Sequence, residues 1–222
     1  MNRYLVTLLA LICTSVPIIG FGSDTSDTTR GQTHYATCQT CHGVNAEGSQ
    51  AVGAPRLVGL QEWYLVKQMQ KYRTGLRGSE AQDSFGQQMA TKAKGLPDEQ
   101  AVNDVAAYIA TLKADPSART ETSGDPVKGE ALFWHCTHCH GSRGQGINEG
   151  YNRNPTALHP PAPKLFGQDD WYMIRQLQNF KSRIRGSHKQ DKEGTQCRVR
   201  GMSSLSTEKD IYDVVAYIKT LQ

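Results

Sequence analysis

Cys38-Gln39-Thr40-Cys41-His42 and Cys136-Thr137-His138-Cys139-His140 are two copies of one pattern, C-x-x-C-H, set almost a hundred residues apart in a chain of 222. The pattern is the attachment signature of a c-type haem. Two thiols at this spacing form thioethers to one porphyrin, and the adjacent histidine reaches its iron as proximal ligand. A bare C-x-x-C also reads as a redox dithiol or half of a zinc site. A structural zinc needs four closed ligands, however, and neither alternative calls for the same trailing histidine twice. The motifs therefore predict two covalently bound haem c groups, one on Cys38, Cys41 and His42, the other on Cys136, Cys139 and His140.

Outward from the motifs the chain repeats itself. Gly31, Tyr35 and Cys38 match Gly129, Phe133 and Cys136 at a constant offset of 98. Glycine and aromatic then share one helical face, as a close helix crossing would require. Downstream, Ala54-Pro55-Arg56-Leu57-Val58-Gly59 matches Ala162-Pro163-Lys164-Leu165-Phe166-Gly167 at an offset of 108, so the second half carries ten extra residues in a Gly-, Asn- and Pro-rich loop around Gly144 to Pro161. The offset of 108 persists through Trp63-Tyr64 and Trp171-Tyr172, Lys67-Gln68 and Arg175-Gln176, and Arg77-Gly78-Ser79 and Arg185-Gly186-Ser187.

Such agreement is an internal duplication. Trp63 to Thr74 and Trp171 to Ser182 have helical periodicity, as do the closing segments Asp98 to Lys113 and Thr207 to Leu221. Pro97 and Ser206/Thr207 stand where helix starts are expected. No strand pattern survives, so the predicted fold is all-α: an N-terminal domain over residues 30–113, a Pro-, Ser- and Thr-rich linker over 114–124, and a C-terminal domain over 125–222. Each domain is small for a protein-only core, and a haem supplies the missing apolar volume.

Residues 1–22, with Arg3 before an apolar run from Tyr4 to Phe21, predict a secretory leader, with an uncleaved membrane anchor as the alternative. Cys13 falls inside it and reads as filler, because Ile12 is too large for lipoprotein processing. Export places the domains where thiols persist when modified, paired or ligated. Of six cysteines, the leader and the haem motifs account for all but Cys197.

The formal charge is +4, and residues 125–222 carry the excess, with fourteen basic against ten acidic side chains. This is too little for a nucleic-acid partner but enough for a docking patch on an acidic one. The run Arg175, Lys181, Arg183, Arg185, Lys189, Lys192, Arg198 and Arg200 is its densest part, available to haem propionates, to a partner, or simply to solvent.

A helix with Gly and an aromatic, C-x-x-C-H, a Pro downstream, a methionine segment and a final helix ending in Ala-Tyr-Ile together resemble a class I cytochrome c domain. Two in tandem, over roughly residues 30 to 222, are similar to the diheme cytochrome c4 family. The resemblance implies that the first and last helices of each domain cross near the haem edge, and that the carbonyl of Pro55 or Pro163 holds the outer ring nitrogen of His42 or His140. It also implies a sixth iron ligand from a methionine loop, and Met89 stands where the first domain requires it. Thioether ligation favours ferrous iron and suits a carrier.

The second domain departs from its own repeat. Gly86-Gln87-Gln88-Met89 aligns with Gly194-Thr195-Gln196-Cys197, which puts the leftover cysteine opposite the first domain's ligand. Met202 is the expected sixth ligand on chemistry and family habit, and Cys197 is the alternative on register. His34, His135, His138, His159 and His188 lack paired ligand spacing and read as surface or haem-flanking residues, and Lys92 and Lys94 as solvated. The implied function is that of a periplasmic carrier of single electrons between a quinol-oxidising complex and a terminal oxidase or reductase, meeting membranes through a partner or the leader. Its rivals are a thiosulfate dehydrogenase-like enzyme with a His/Cys-ligated haem and a fixed subunit of a membrane complex.

Overall fold

A computed structural model describes residues 25–113, 123–147 and 161–221. The leader with Cys13, most of the expected linker, His159 and the centre of the ten-residue insertion lie outside the described residues. The first domain contains α1 (Thr28–Tyr35), α2 (Gln39–His42), α3 (Glu62–Arg73), α4 (Ser84–Lys94) and α5 (Glu99–Thr111). The second contains α6 (Pro126–His140), α7 (Asp170–Lys181), α8 (Lys192–Arg200), a 3-10 turn (Gly201–Ser204) and α9 (Glu208–Thr220). Among the described residues there is no strand, only the isolated bridges Ser49–Ala54 and Ile147–Ala162.

The closing helices form where their apolar spacing predicts. Val102, Val105, Ala106 and Ile109 of α5, and Ile211, Val214, Val215 and Ile218 of α9, are all buried. Each such large side chain contributes roughly 1.5–3 kcal/mol by leaving water. Thr207 and Asp210 form a reciprocal capping box at the start of α9. Pro97 is displaced from its expected place: Asp98 caps α5 through the Ala101 N–H, and the proline stands one residue outside the cap.

The helix crossing is built on the repeated glycines. A Cβ on Gly31 would lie 2.0 Å from the Asp104 carbonyl oxygen, and one on Gly129 would lie 1.9 Å from that of Asp213. Only glycine lets α1 touch α5, and α6 touch α9, this closely. The matched aromatics then stack across each crossing, Tyr35 on Tyr108 with centroids 5.4 Å apart and Phe133 on Tyr217 at 5.3 Å. Beside them, buried Asp104 accepts from the Asp27 N–H at 2.7 Å and Asp213 from the Asp125 N–H at 2.7 Å, tying the residue before each first helix to the last helix.

The segments expected as methionine loops are helices, α4 and α8. Each starts on an aspartate cap, Asp83 accepting from the Gly86 N–H and Asp191 from the Gly194 N–H, both at 3.0 Å. The two domains meet face to face through side chains of α3 and α7 and the turns after them.

Candidate functional site

Each C-x-x-C-H occupies a helical turn: α2 in the first domain, the last turn of α6 in the second. A glycine with positive φ follows at once, Gly43 at 82° and Gly141 at 79°, and reverses the chain. The carbonyls of His42 and His140 then accept from the N–H groups of Gly48 at 2.8 Å and Gly146 at 2.7 Å. These glycines also have positive φ, and a Cβ on either would strike the backbone after the matched proline. The resulting loop, closed by Ser49–Ala54 in one domain and Ile147–Ala162 in the other, presents the proline carbonyl to the histidine ring. The second loop spans ten more residues between its bridge partners, so the insertion leaves the bridge in place.

The outcome is the same in both domains. His42 Nδ1 meets the Pro55 carbonyl at 2.8 Å, and His140 Nδ1 meets that of Pro163 at 2.8 Å. A carbonyl only accepts, so Nδ1 carries the proton and the Nε2 lone pair is free for a metal. Burial lowers the pKa of both rings, against the opposing pull of the proline carbonyls, which favours that neutral form. The bond also orients the ring and raises its basicity.

One cavity runs through both halves of the molecule and the seam between them. Cys38, Cys41 and His42 line one end, and Cys136, Cys139 and His140 the other. Burial pushes the Cys136 thiol up to about 12 and raises Cys38 and Cys139 as well. Trp63 Nε1 and Arg77 Nε are buried without a hydrogen-bond partner, and both residues line the cavity. Orphaned buried donors cost about 1–3 kcal/mol each unless an acceptor arrives. Paired thiols, a fixed imidazole, apolar walls and unsatisfied donors fit a haem, whose propionates would offer acceptors to Trp63 and Arg77. When bound, it supplies a one-electron iron couple.

Met89 lies on α4, lines the cavity and packs against both apolar clusters of the first domain. In the second domain Cys197 lies on α8 and Met202 in the 3-10 turn, and both line the cavity. Of the other histidines, His135 lines the cavity and His188 is exposed. Among the described residues no three His, Cys, Asp or Glu side chains converge as a closed metal site would need.

The basic run divides. Arg183, Lys189, Lys192 and Arg200 are exposed, whereas Arg175 and Arg185 turn into the seam. There Arg77 donates to Gln68, Gln176 and the Tyr172 hydroxyl at 2.7–2.9 Å, and Arg185 donates to Gln176 at 2.8 Å, Gln68 at 3.2 Å and the Tyr64 hydroxyl at 3.4 Å. The offset of 108 maps each member onto its mate, so the contact is self-complementary like that of a two-fold dimer. Burial would raise the Tyr172 phenol, but Arg77 and Arg185 hold it below its ordinary value. This network escaped sequence reasoning, although its residues are the ones that held the repeat in register.

Fold and site together define a tandem c-type cytochrome with two haem crevices. The family "Cytochrome c" matches residues 28–113 and 126–222. The chain is 30% identical to cytochrome c4 of Azotobacter vinelandii over the whole of both proteins. It is 31% identical to the thiosulfate dehydrogenase electron acceptor of Thiomonas intermedia, over 66% of this chain and 63% of that one. The crystal structure of reduced cytochrome c4 from Pseudomonas stutzeri superposes with a TM-score of 0.63 at 27% identity, covering 89% of this chain and all of that one. The chain belongs to the cytochrome c family as a two-haem electron-transfer protein of the cytochrome c4 type.

Proposed function

We propose that this protein is an exported carrier that receives single electrons at one haem and delivers them from the other, between a quinol-oxidising complex and a terminal oxidase or reductase. The observation that carries the reading is the shared cavity: both crevices open into one space lined from both domains, so the two cofactors adjoin. In it, Cys38, Cys41, Cys136 and Cys139 attach the haems, His42 and His140 bind the irons, and Met89 completes the first. Export rests on the charged and apolar start of the chain, and a periplasmic site follows from it. Among the described residues no helix is long and apolar enough to cross a membrane. The exposed Arg183, Lys189, Lys192 and Arg200 support docking on an acidic partner.

The reduced protein should be oxidised rapidly by membranes that contain a terminal oxidase, and more slowly at high salt, where docking charges are screened. Thiosulfate turnover by the purified protein alone would favour the enzyme instead. The likeness to the electron acceptor of a thiosulfate dehydrogenase supports the carrier.

A further inference from the structure

Cys197 is the one cysteine among the described residues outside the two haem motifs. Its place is fixed by the backbone of α8. Asp191 caps α8 as Asp83 caps α4, with equal bonds to the third residue on, and Met89 and Cys197 each stand six residues after the cap. The approach to the preceding turn is also the same. A Cβ on Gly78 would lie 2.3 Å from the Gly86 carbonyl oxygen, and one on Gly186 would lie 2.3 Å from that of Gly194. The helices that carry Met89 and Cys197 therefore begin in the same place against their own domains.

The extra residue of the second domain enters after Cys197. Where α4 continues as helix to Lys94, α8 stops at Arg200 and gives way to the 3-10 turn. Beyond that turn the repeat resumes at an offset of 109, pairing Leu96 with Leu205 and Tyr108 with Tyr217. At that offset Met202 falls opposite Ala93, a core residue that is 2% exposed, and Met202 packs on the apolar cluster of Phe133, Leu205 and Val214. Cys197 thus stands at the repeat position of Met89, and Met202, which also lines the cavity, at that of the buried Ala93.

Other contacts hold α8 against the cavity. Lys71 of the first domain reaches Asp191 and Glu193, both at 2.6 Å, in the turn before Cys197. Cys197 lines the cavity, with Cys136 and Cys139 among its neighbours.

We propose that Cys197, not Met202, is the sixth ligand of the second haem, which makes the two irons chemically unlike. On binding, the Cys197 S–H bond breaks, its proton leaves to solvent and a sulfur lone pair forms the bond to ferric iron, whose oxidation state does not change. A thiolate adds negative charge at the iron and stabilises the ferric state, so the second haem titrates below the first. Electrons then rest on the Met89 haem and pass through the second only when a donor is strong enough. The inference rests on the two-haem reading above.

The test uses the full-length holoprotein, unaltered and as Cys197→Met and Met202→Leu. The unaltered ferric protein should show the near-infrared thioether-to-iron band at the strength of one haem, together with a thiolate-type low-spin resonance signal. Cys197→Met should double the band, abolish the signal and bring the second potential up toward the first, and Met202→Leu should leave all three unchanged. A two-haem band in the unaltered protein that halves in Met202→Leu would overturn the proposal. Should Cys197→Met fail to fold, iodoacetamide on the unaltered oxidised holoprotein decides: protection of Cys197 supports ligation, and free alkylation with unchanged spectra overturns it. Haem content by mass does not depend on Cys197, so a count below two would sink the two-haem reading separately.

Discussion

The two histidines show how little freedom a ligand is allowed. Each ring is pinned at Nδ1 by a proline carbonyl 2.8 Å away, so Nε2 points the only way left to it. His42→Ala should leave the first haem attached through Cys38 and Cys41 but convert its absorption from low-spin to high-spin, with the second haem unaffected. Trp63 Nε1 makes a complementary demand, because a buried donor without a protein partner calls for an acceptor from the cofactor. Trp63→Phe keeps an aromatic side chain and deletes the donor. Denaturant unfolding of the holoprotein should then lose about 1.5–3 kcal/mol, the worth of a hydrogen bond to a charged group.

At the scale of the element, the glycine at each helix crossing is the most exacting residue. Gly31→Ala or Gly129→Ala places a methyl group within 2.0 Å of a carbonyl oxygen that belongs to the facing helix, and the helices must part. Overpacking of this kind costs about 1–3 kcal/mol. For a domain of this size, calorimetry should show the melting point of that domain falling by roughly 4–8 °C per kcal/mol lost. Glycine and aromatic at helical spacing announced the crossing in the sequence, and the apolar periodicity of α5 and α9 announced the closing helices. Helices α4 and α8 were illegible for a physical reason. Ser84 to Lys94 and Lys192 to Arg200 hold small and polar residues with few apolar ones, and what makes them helical is an aspartate cap and a face turned to the haem crevice. The place of Met202 was obscured for a related reason, since a one-residue insertion shows its effect only once the 3-10 turn absorbs it.

Across the whole molecule, the duplication serves the seam as much as the domains. Gln68, Arg77, Gln176 and Arg185 were visible as repeat matches, but that they bond to one another depends on docking, which no periodicity encodes. The seam is also asymmetric. Lys67 and Lys71 grip Glu193 and Asp191 on one side, and on the other Arg175 stacks on Phe85 with 4.3 Å to the ring centroid. Removing one partner of a buried pair costs about 3–5 kcal/mol, so Lys71→Met should weaken the holoprotein by an amount of that order in urea and loosen the domains in solution scattering. Burial alone would raise the pKa of Glu193, but hydrogen bonds from Lys67 and Lys71 hold it below its ordinary value. A folded pKa below the unfolded one stabilises the protein fully above about pH 4.3, and that contribution fades as pH falls through the folded value. The seam should therefore loosen in acid, and Glu193→Gln should remove that part of the pH dependence.

Two covalent haems that cycle one electron each can be counted by a spectroelectrochemical titration of the intact protein. It should take up two electrons per chain in reversible single-electron steps, with no substrate present. Uptake of one electron, or a second iron that does not cycle, would contradict that count.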